Sequence, residues 1–179
     1  MNDVTRDAYV SPCKMYRYLL TRQWNHPNAG LSDTQIHAMG MGRDLKQMVF
    51  VMLNPSTADA YEDDPTIRRC VSFARREGYD MLHVANLYAG RATKPSDLYK
   101  MGDPVGPENE RVWSKIKKHA EDNVAIVCAW GADRRARIQA QRFLNFMDGR
   151  ALHCLGTTKD GSPKHPLYLK SDAPLVLYS

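Results

Sequence analysis

Two apolar runs constrain this chain more than anything else in it. Residues 48–53 read Met-Val-Phe-Val-Met-Leu, and residues 124–130 read Val-Ala-Ile-Val-Cys-Ala-Trp. Neither carries a charge. Short unbroken apolar runs bounded by turn residues suit strands covered on both faces. Each stops abruptly, the first at Asn54-Pro55-Ser56 and the second at Gly131. Two more segments behave alike. Residues 81–87 form a core strand that ends at Asn86 and Tyr88. Residues 151–155 form another, followed after a loop by Lys164-His165-Pro166-Leu167.

Strands buried on both faces require helical layers above and below. Asp64-Pro65 predicts a helix start, with Asp64 as N-cap and Pro65 in the first turn. Ile67, Cys70, Val71 and Ala74 make its apolar stripe, and Gly78 stops it. Residues 108–120 and 133–147 read as further helices, and 9–24 as one or two edge strands. Residues 90–107 read as a long polar loop. The expected fold is therefore α/β: a three-layer α/β/α sandwich with a mostly parallel four-stranded central sheet and added N-terminal edge strands. The 179 residues fit one domain, with edge strands and a loop over 1–47 and the core over 48–169.

Composition narrows the function classes. No apolar run approaches the roughly 20 residues of a membrane-spanning helix, and the polar N-terminus does not read as a signal peptide. Cys13, Cys70, Cys128 and Cys154 are widely spaced, which argues against a metal site or disulfides and suits a cytoplasmic protein. The net charge of +5 and the basic clusters at Arg68-Arg69, Arg75-Arg76, 115–118 and 134–137 are compatible with a polyanionic partner or with solvated helix faces.

In open α/β sheets, ligands bind outside the carboxyl ends of the strands. Polar residues collect there on all four predicted strands. Asn54, Ser56, Asp59, Asp63 and Asp64 follow the first, and Asn86 and Arg91 the second. Trp130-Gly131 ends the third, and Lys164-His165 follows the fourth. Each has a plainer reading: Asn54-Pro55 as a turn initiator, Asp64 as a helix cap, His165 as a loop residue. Their shared placement favours a site. No Walker loop, G-x-G-x-x-G or G-x-S-x-G elbow competes.

In their order and register, these segments resemble the uracil-DNA glycosylase superfamily over residues 48–169. Leu53 to Asp59, L-N-P-S-T-A-D, also resembles the mark of an uncharacterised bacterial and phage domain family. The first resemblance implies catalytic roles for Asn54 and His165, and Asp59 and Asp64, beyond the same strand as Asn54, stand beside them as candidate catalytic carboxylates. Asn54 would orient the attacking water, since an amide is no general base. Asn is found at this position in the superfamily's mismatch-specific branch. The resemblance makes Asn86 the reader of the flipped base and His165 the donor to its carbonyl. Ser56, where uracil-specific members carry an aromatic, would leave room beside C5. Tyr88 and Trp130 complete the base-binding set. Arg91, Lys159 and Lys164 would hold phosphates, and Leu169 or Leu167 would fill the vacated stack.

The expected function is excision of a modified pyrimidine from double-stranded DNA by a monomeric, monofunctional glycosylase. It needs no metal and no cofactor, and it would serve base-excision repair or anti-phage defence. Two rivals stand beside it: a nucleoside or nucleotide hydrolase or transferase on the same fold, and a catalytically silent nucleic-acid-binding module.

Overall fold

A computed structural model describes residues 4–24, 45–56, 62–120 and 123–179. Its strands are β1 (Thr5–Val10), β2 (Arg17–Gln23), β3 (Gln47–Met52), β4 (Met81–Asn86), β5 (Val124–Cys128), β6 (Leu152–Cys154) and β7 (Val176–Leu177). Its helices are α1 (Pro65–Arg76), α2 (Pro95–Leu98), α3 (Asn109–His119) and α4 (Arg137–Phe146), with short 3-10 turns at Arg134–Ala136 and Pro166–Tyr168.

One sheet carries all seven strands, in the order β1-β2-β4-β3-β5-β6-β7. The four central strands β4, β3, β5 and β6 run parallel. They are the runs that the sequence marks as core strands. The sheet is wider than the expected four strands because antiparallel partners extend both edges. β1 and β2 add to β4, and the two-residue β7 adds to β6.

The layering follows from alternation along the strands. Odd residues of β3 and β4, such as Val49, Val51 and Ala85, pack with Val112, Trp113 and Ile116 of α3 and with Ala140 and Phe143 of α4. Even residues, Met48, Phe50, Met52, Leu82 and Val84, pack with Ile67, Cys70, Phe73 and Ala74 of α1. Helices thus cover both faces, the expected three layers. The helix expected over 133–147 begins with the 3-10 turn, because Asp133 caps the Arg135 N–H and tightens the first turn. Among the described residues, no helix is long and apolar enough to cross a membrane.

Strand order reverses at β3. The chain leaves β3 for β4 on one side, then crosses back to β5 on the other. The crevice outside β3 and β5 is therefore the topological switch point.

Candidate active site at the carboxyl edge

The first turn of α1 shapes the site. Asp64 has extended backbone, and its Oδ1 accepts the Ile67 N–H at 2.8 Å. Its other oxygen accepts the Ser56 hydroxyl at 3.1 Å. One carboxylate therefore starts the helix and ties it to the loop leaving β3. The cap reading of Asp64 holds, and both of its oxygens are engaged.

Asn54 follows β3. Its amide nitrogen donates to Pro55 O at 3.0 Å and to Ala92 O at 2.8 Å. Those two carbonyls identify the nitrogen and leave Oδ1 as the oxygen not used in the clamp. Ala92 N–H returns to Pro55 O at 3.1 Å. Asn54 thus stitches the end of β3 to the segment beyond β4.

Asn86 ends β4 opposite Met52 of β3. Its neighbours Ala85 and Leu87 pack in the α3–α4 layer, so its side chain lies on the α1 face. It is 1% exposed, and its amide nitrogen has no hydrogen-bond partner. The backbone beneath it is held hard. Asn109 donates to Asn86 O at 3.1 Å and to Leu87 O at 3.0 Å. Trp113 Nε1 donates to Asn86 O at 3.1 Å, and Gln139 to Leu87 O at 3.1 Å.

His165 precedes the turn Pro166–Tyr168, and its Nδ1 accepts the Leu167 N–H at 3.3 Å. That bond assigns the remaining proton of the neutral ring to Nε2. Burial holds its pKa below the usual histidine value, partly offset by the charge of Asp64. The loop that delivers His165 is tied to β5. Gly131 N–H donates to Pro163 O at 3.0 Å, and a Cβ on Gly131 would stand 3.7 Å from the His165 Cβ. The turn itself packs on α1. Ser56, Asp64 and His165 therefore form one cluster, with Asn86 on the same face of the sheet.

Two other expected site residues, Tyr88 and Trp130, lie elsewhere. They pack into the opposite layer. Tyr88 meets Tyr99 edge-on, and Trp130 meets Phe143 and Tyr178. Trp130 lines a cavity of about 370 Å³ with Gly131, Asp133, Arg137, Asp160 and Tyr178. Arg91 donates to Lys14 O at 3.1 Å and is partly covered. Lys159 and Lys164 are exposed on the loop leading to His165. Leu169 is half-buried against the α1 cluster, whereas Leu167 is 42% and Tyr168 84% exposed. Asp59 lies outside the described residues.

Sequence reasoning missed Arg17 and Arg22. Both are buried charges at the start and near the end of β2. Arg22 pairs with Asp63 at 2.7 Å. Arg17 feels the charges of Asp64, Arg91 and Arg22, and burial lowers its pKa to about 10. The signal was an arginine inside the apolar run Tyr16-Arg17-Tyr18-Leu19-Leu20. The arginines of α1 lie at the surface, and three of them are also engaged there. Arg69 bonds Leu169 O, Arg76 bonds Ala173 O at 2.6 Å, and Arg75 lies over the Trp24 ring. Arg69 and Arg76 fasten the C-terminal segment to the helix.

A family model described as "Protein of unknown function (DUF1643)" matches residues 17–167. No curated protein and no solved structure matches the chain. Nothing in these comparisons links it to the uracil-DNA glycosylase superfamily.

Proposed function

We propose that this chain, which belongs to the DUF1643 family, is a DNA N-glycosylase that flips out a modified pyrimidine and hydrolyses its N-glycosidic bond, leaving an abasic site. The observation that supports this reading is the meeting of distant segments at one sheet edge. Ser56, Asp64 and His165 cluster beside the switch point, and Asn86 offers an unpartnered amide on the same face.

In this reading, water held by Asn54 Oδ1 adds to C1′ while the bond to the base nitrogen breaks. The base leaves with the bonding electrons, and His165 Nε2–H donates to its carbonyl as charge develops there. The proton lost by the water goes to a carboxylate. Asp64 is already engaged by two donors, which leaves Asp59 as the other candidate. Extrusion of the base costs a few kcal/mol. Tyr168 and Leu167, prominent beside His165, suit the filling of the vacated stack better than the half-buried Leu169. Lys159 and Lys164 are free to meet phosphates by charge. The small side chain of Ser56 suits a base with a large C5 substituent, and so repair or defence against modified phage DNA.

The test is direct. Duplexes that each carry one modified pyrimidine are incubated with the protein and then heated in alkali. Strand cleavage at the modified position is expected for at least one base with a C5 adduct. Intact strands across the panel, under conditions where the protein is folded, would remove the glycosylase reading.

A further inference from the structure

The cavity beside Trp130 lies on the α3–α4 face of the carboxyl edge, away from the α1 cluster. Its most telling feature is the tryptophan. Trp24 Nε1 donates to Tyr79 O at 2.9 Å, and Trp113 Nε1 to Asn86 O at 3.1 Å. Trp130 is 5% exposed, yet among the described residues no group accepts its indole N–H. A buried tryptophan N–H ordinarily finds a partner. The nitrogen of Trp130 is not sealed inside the protein, and the ring borders the cavity. Its acceptor is therefore to be supplied from the cavity.

The walls say what kind of group fits. Ala136 and Ala140, one turn apart at the start of α4, give a low apolar wall. Tyr178 adds a second aromatic ring, 5.9 Å from Trp130 and nearly perpendicular to it. The opposite wall is a hairpin closed by the pairing of Thr157 with Pro163. It is fastened from both sides: the Tyr178 hydroxyl donates to Gly161 O at 3.2 Å, and Gly131 N–H to Pro163 O at 3.0 Å. The lining charges are matched within the protein. Arg137 pairs with Asp160 at 3.1 Å, and Asp133 with Arg135 at 2.9 Å. A charged ligand would find no unmatched counter-charge among them. The volume of about 370 Å³ falls within the roughly 300–1,000 Å³ of small-molecule sites.

We propose that this cavity is a small-molecule site separate from the α1 cluster, and that it takes a neutral planar heterocycle whose ring carbonyl or ring nitrogen accepts the Trp130 N–H. A free nucleobase and its nucleoside both present that chemistry. The hairpin wall runs on into His165, so an occupant would stiffen the segment that presents it. The site does not depend on the glycosylase reading.

The experiment measures binding. Uracil, hypoxanthine, uridine and inosine are titrated by calorimetry, with ribose and the two nucleoside 5′-monophosphates as controls. At least one base or nucleoside is expected to saturate a single site, ribose is not, and neither monophosphate should bind more tightly than its nucleoside. Trp130→Phe keeps an aromatic ring and removes the donor, so affinity should fall roughly 3- to 10-fold, the worth of one neutral hydrogen bond. Ala140→Leu adds bulk at the cavity wall and should weaken binding by roughly 10-fold or more. Should Ala140→Leu fail to fold, Ala140→Val takes its place. In the wild type, saturating ligand should slow amide exchange over residues 157–163.

Equal affinity for base and nucleoside assigns the ligand to the base alone, and tighter nucleoside binding adds a role for the sugar. Absence of saturable binding by every base and nucleoside overturns the site. So does wild-type affinity in either cavity variant, which would place the binding elsewhere, and so does a monophosphate that binds more tightly than its nucleoside. Abasic-site formation on the duplex panel is scored separately. Binding without abasic sites removes the glycosylase and keeps the cavity site, and the reverse result removes the cavity site alone.

Discussion

Replacing Asn54 separates its chemical role from its structural one. Its two N–H groups hold Pro55 O and Ala92 O, at 3.0 and 2.8 Å. In Asn54→Ala, Pro55 O keeps the Ala92 N–H, so that loss is small. Ala92 O loses the donor recorded for it at a largely covered residue. A carbonyl left unmet costs about 1–3 kcal/mol. For a chain of this size, each kcal/mol lowers Tm by roughly 2–4 °C, so a fall of about 2–12 °C is expected. Asn54→Asp should be worse. It turns both donors into acceptors and sets a carboxylate against two carbonyl oxygens. Its folded pKa is thereby raised, so the added penalty is present well above the ordinary aspartate value of about 3.9 and fades as pH falls through the raised folded pKa. The assay is thermal unfolding of wild type, Ala and Asp variants at pH 7 and at acid pH. Equal stability of Asn54→Asp and wild type at pH 7 would refute the clamp.

Three other outcomes follow from the same coordinates. Gly131 has φ of 79°, and a Cβ there would make only ordinary contact with His165, so Gly131→Ala should cost about 1–2 kcal/mol of backbone strain by denaturant melts and little steric clash. His83 is buried with Nδ1 near the Thr21 hydroxyl at 2.9 Å and Nε2 near Gln47 Oε1 at 3.1 Å, and burial lowers its pKa from 6.5 to about 4. The unfolded chain therefore binds the extra proton first, so stability should fall as pH drops from about 6.5 towards 4, and His83→Gln should flatten that slope in thermal melts. Ser56→Tyr should lose the bond to Asp64, worth about 0.5–1.5 kcal/mol, and should selectively slow excision of bases with large C5 groups; wild-type rates on those bases would show that Ser56 does not face C5.

The fold was legible where pattern alone decides structure. β3, β4 and β5 are long enough, and apolar enough, to declare burial on both faces. Asp64-Pro65 declares the start of α1, because a cap and a proline act locally. β7 was not legible. Two exposed residues, Val176 and Leu177, become a strand only because β6 presents an open edge to them. The candidate site was half legible. The polar residues at strand ends do gather at one edge, but which face each one takes depends on strand register. Alternation sends Asn86 to the α1 side and Trp130 to the other, and the chain leaves strand geometry after Asn86, so Tyr88 packs in the α3–α4 layer as well. The pairing of β2 with β4 also brings Arg17 to the segment just beyond β4, where its N–H donates to Ala89 O. The bonds of Arg69 and Arg76 are not legible in the sequence, because their acceptors, Leu169 O and Ala173 O, lie in a distant segment.

The most direct test of the central claim is a single-turnover rate with His165→Ala. A duplex that the wild type converts to an alkali-labile product is mixed with excess protein, and abasic sites are quenched over time. Loss of one donor aimed at developing charge should slow this step by roughly 10²- to 10³-fold while duplex affinity stays near that of the wild type. An unchanged single-turnover rate would contradict the account, because His165 would then touch neither the base nor its departure.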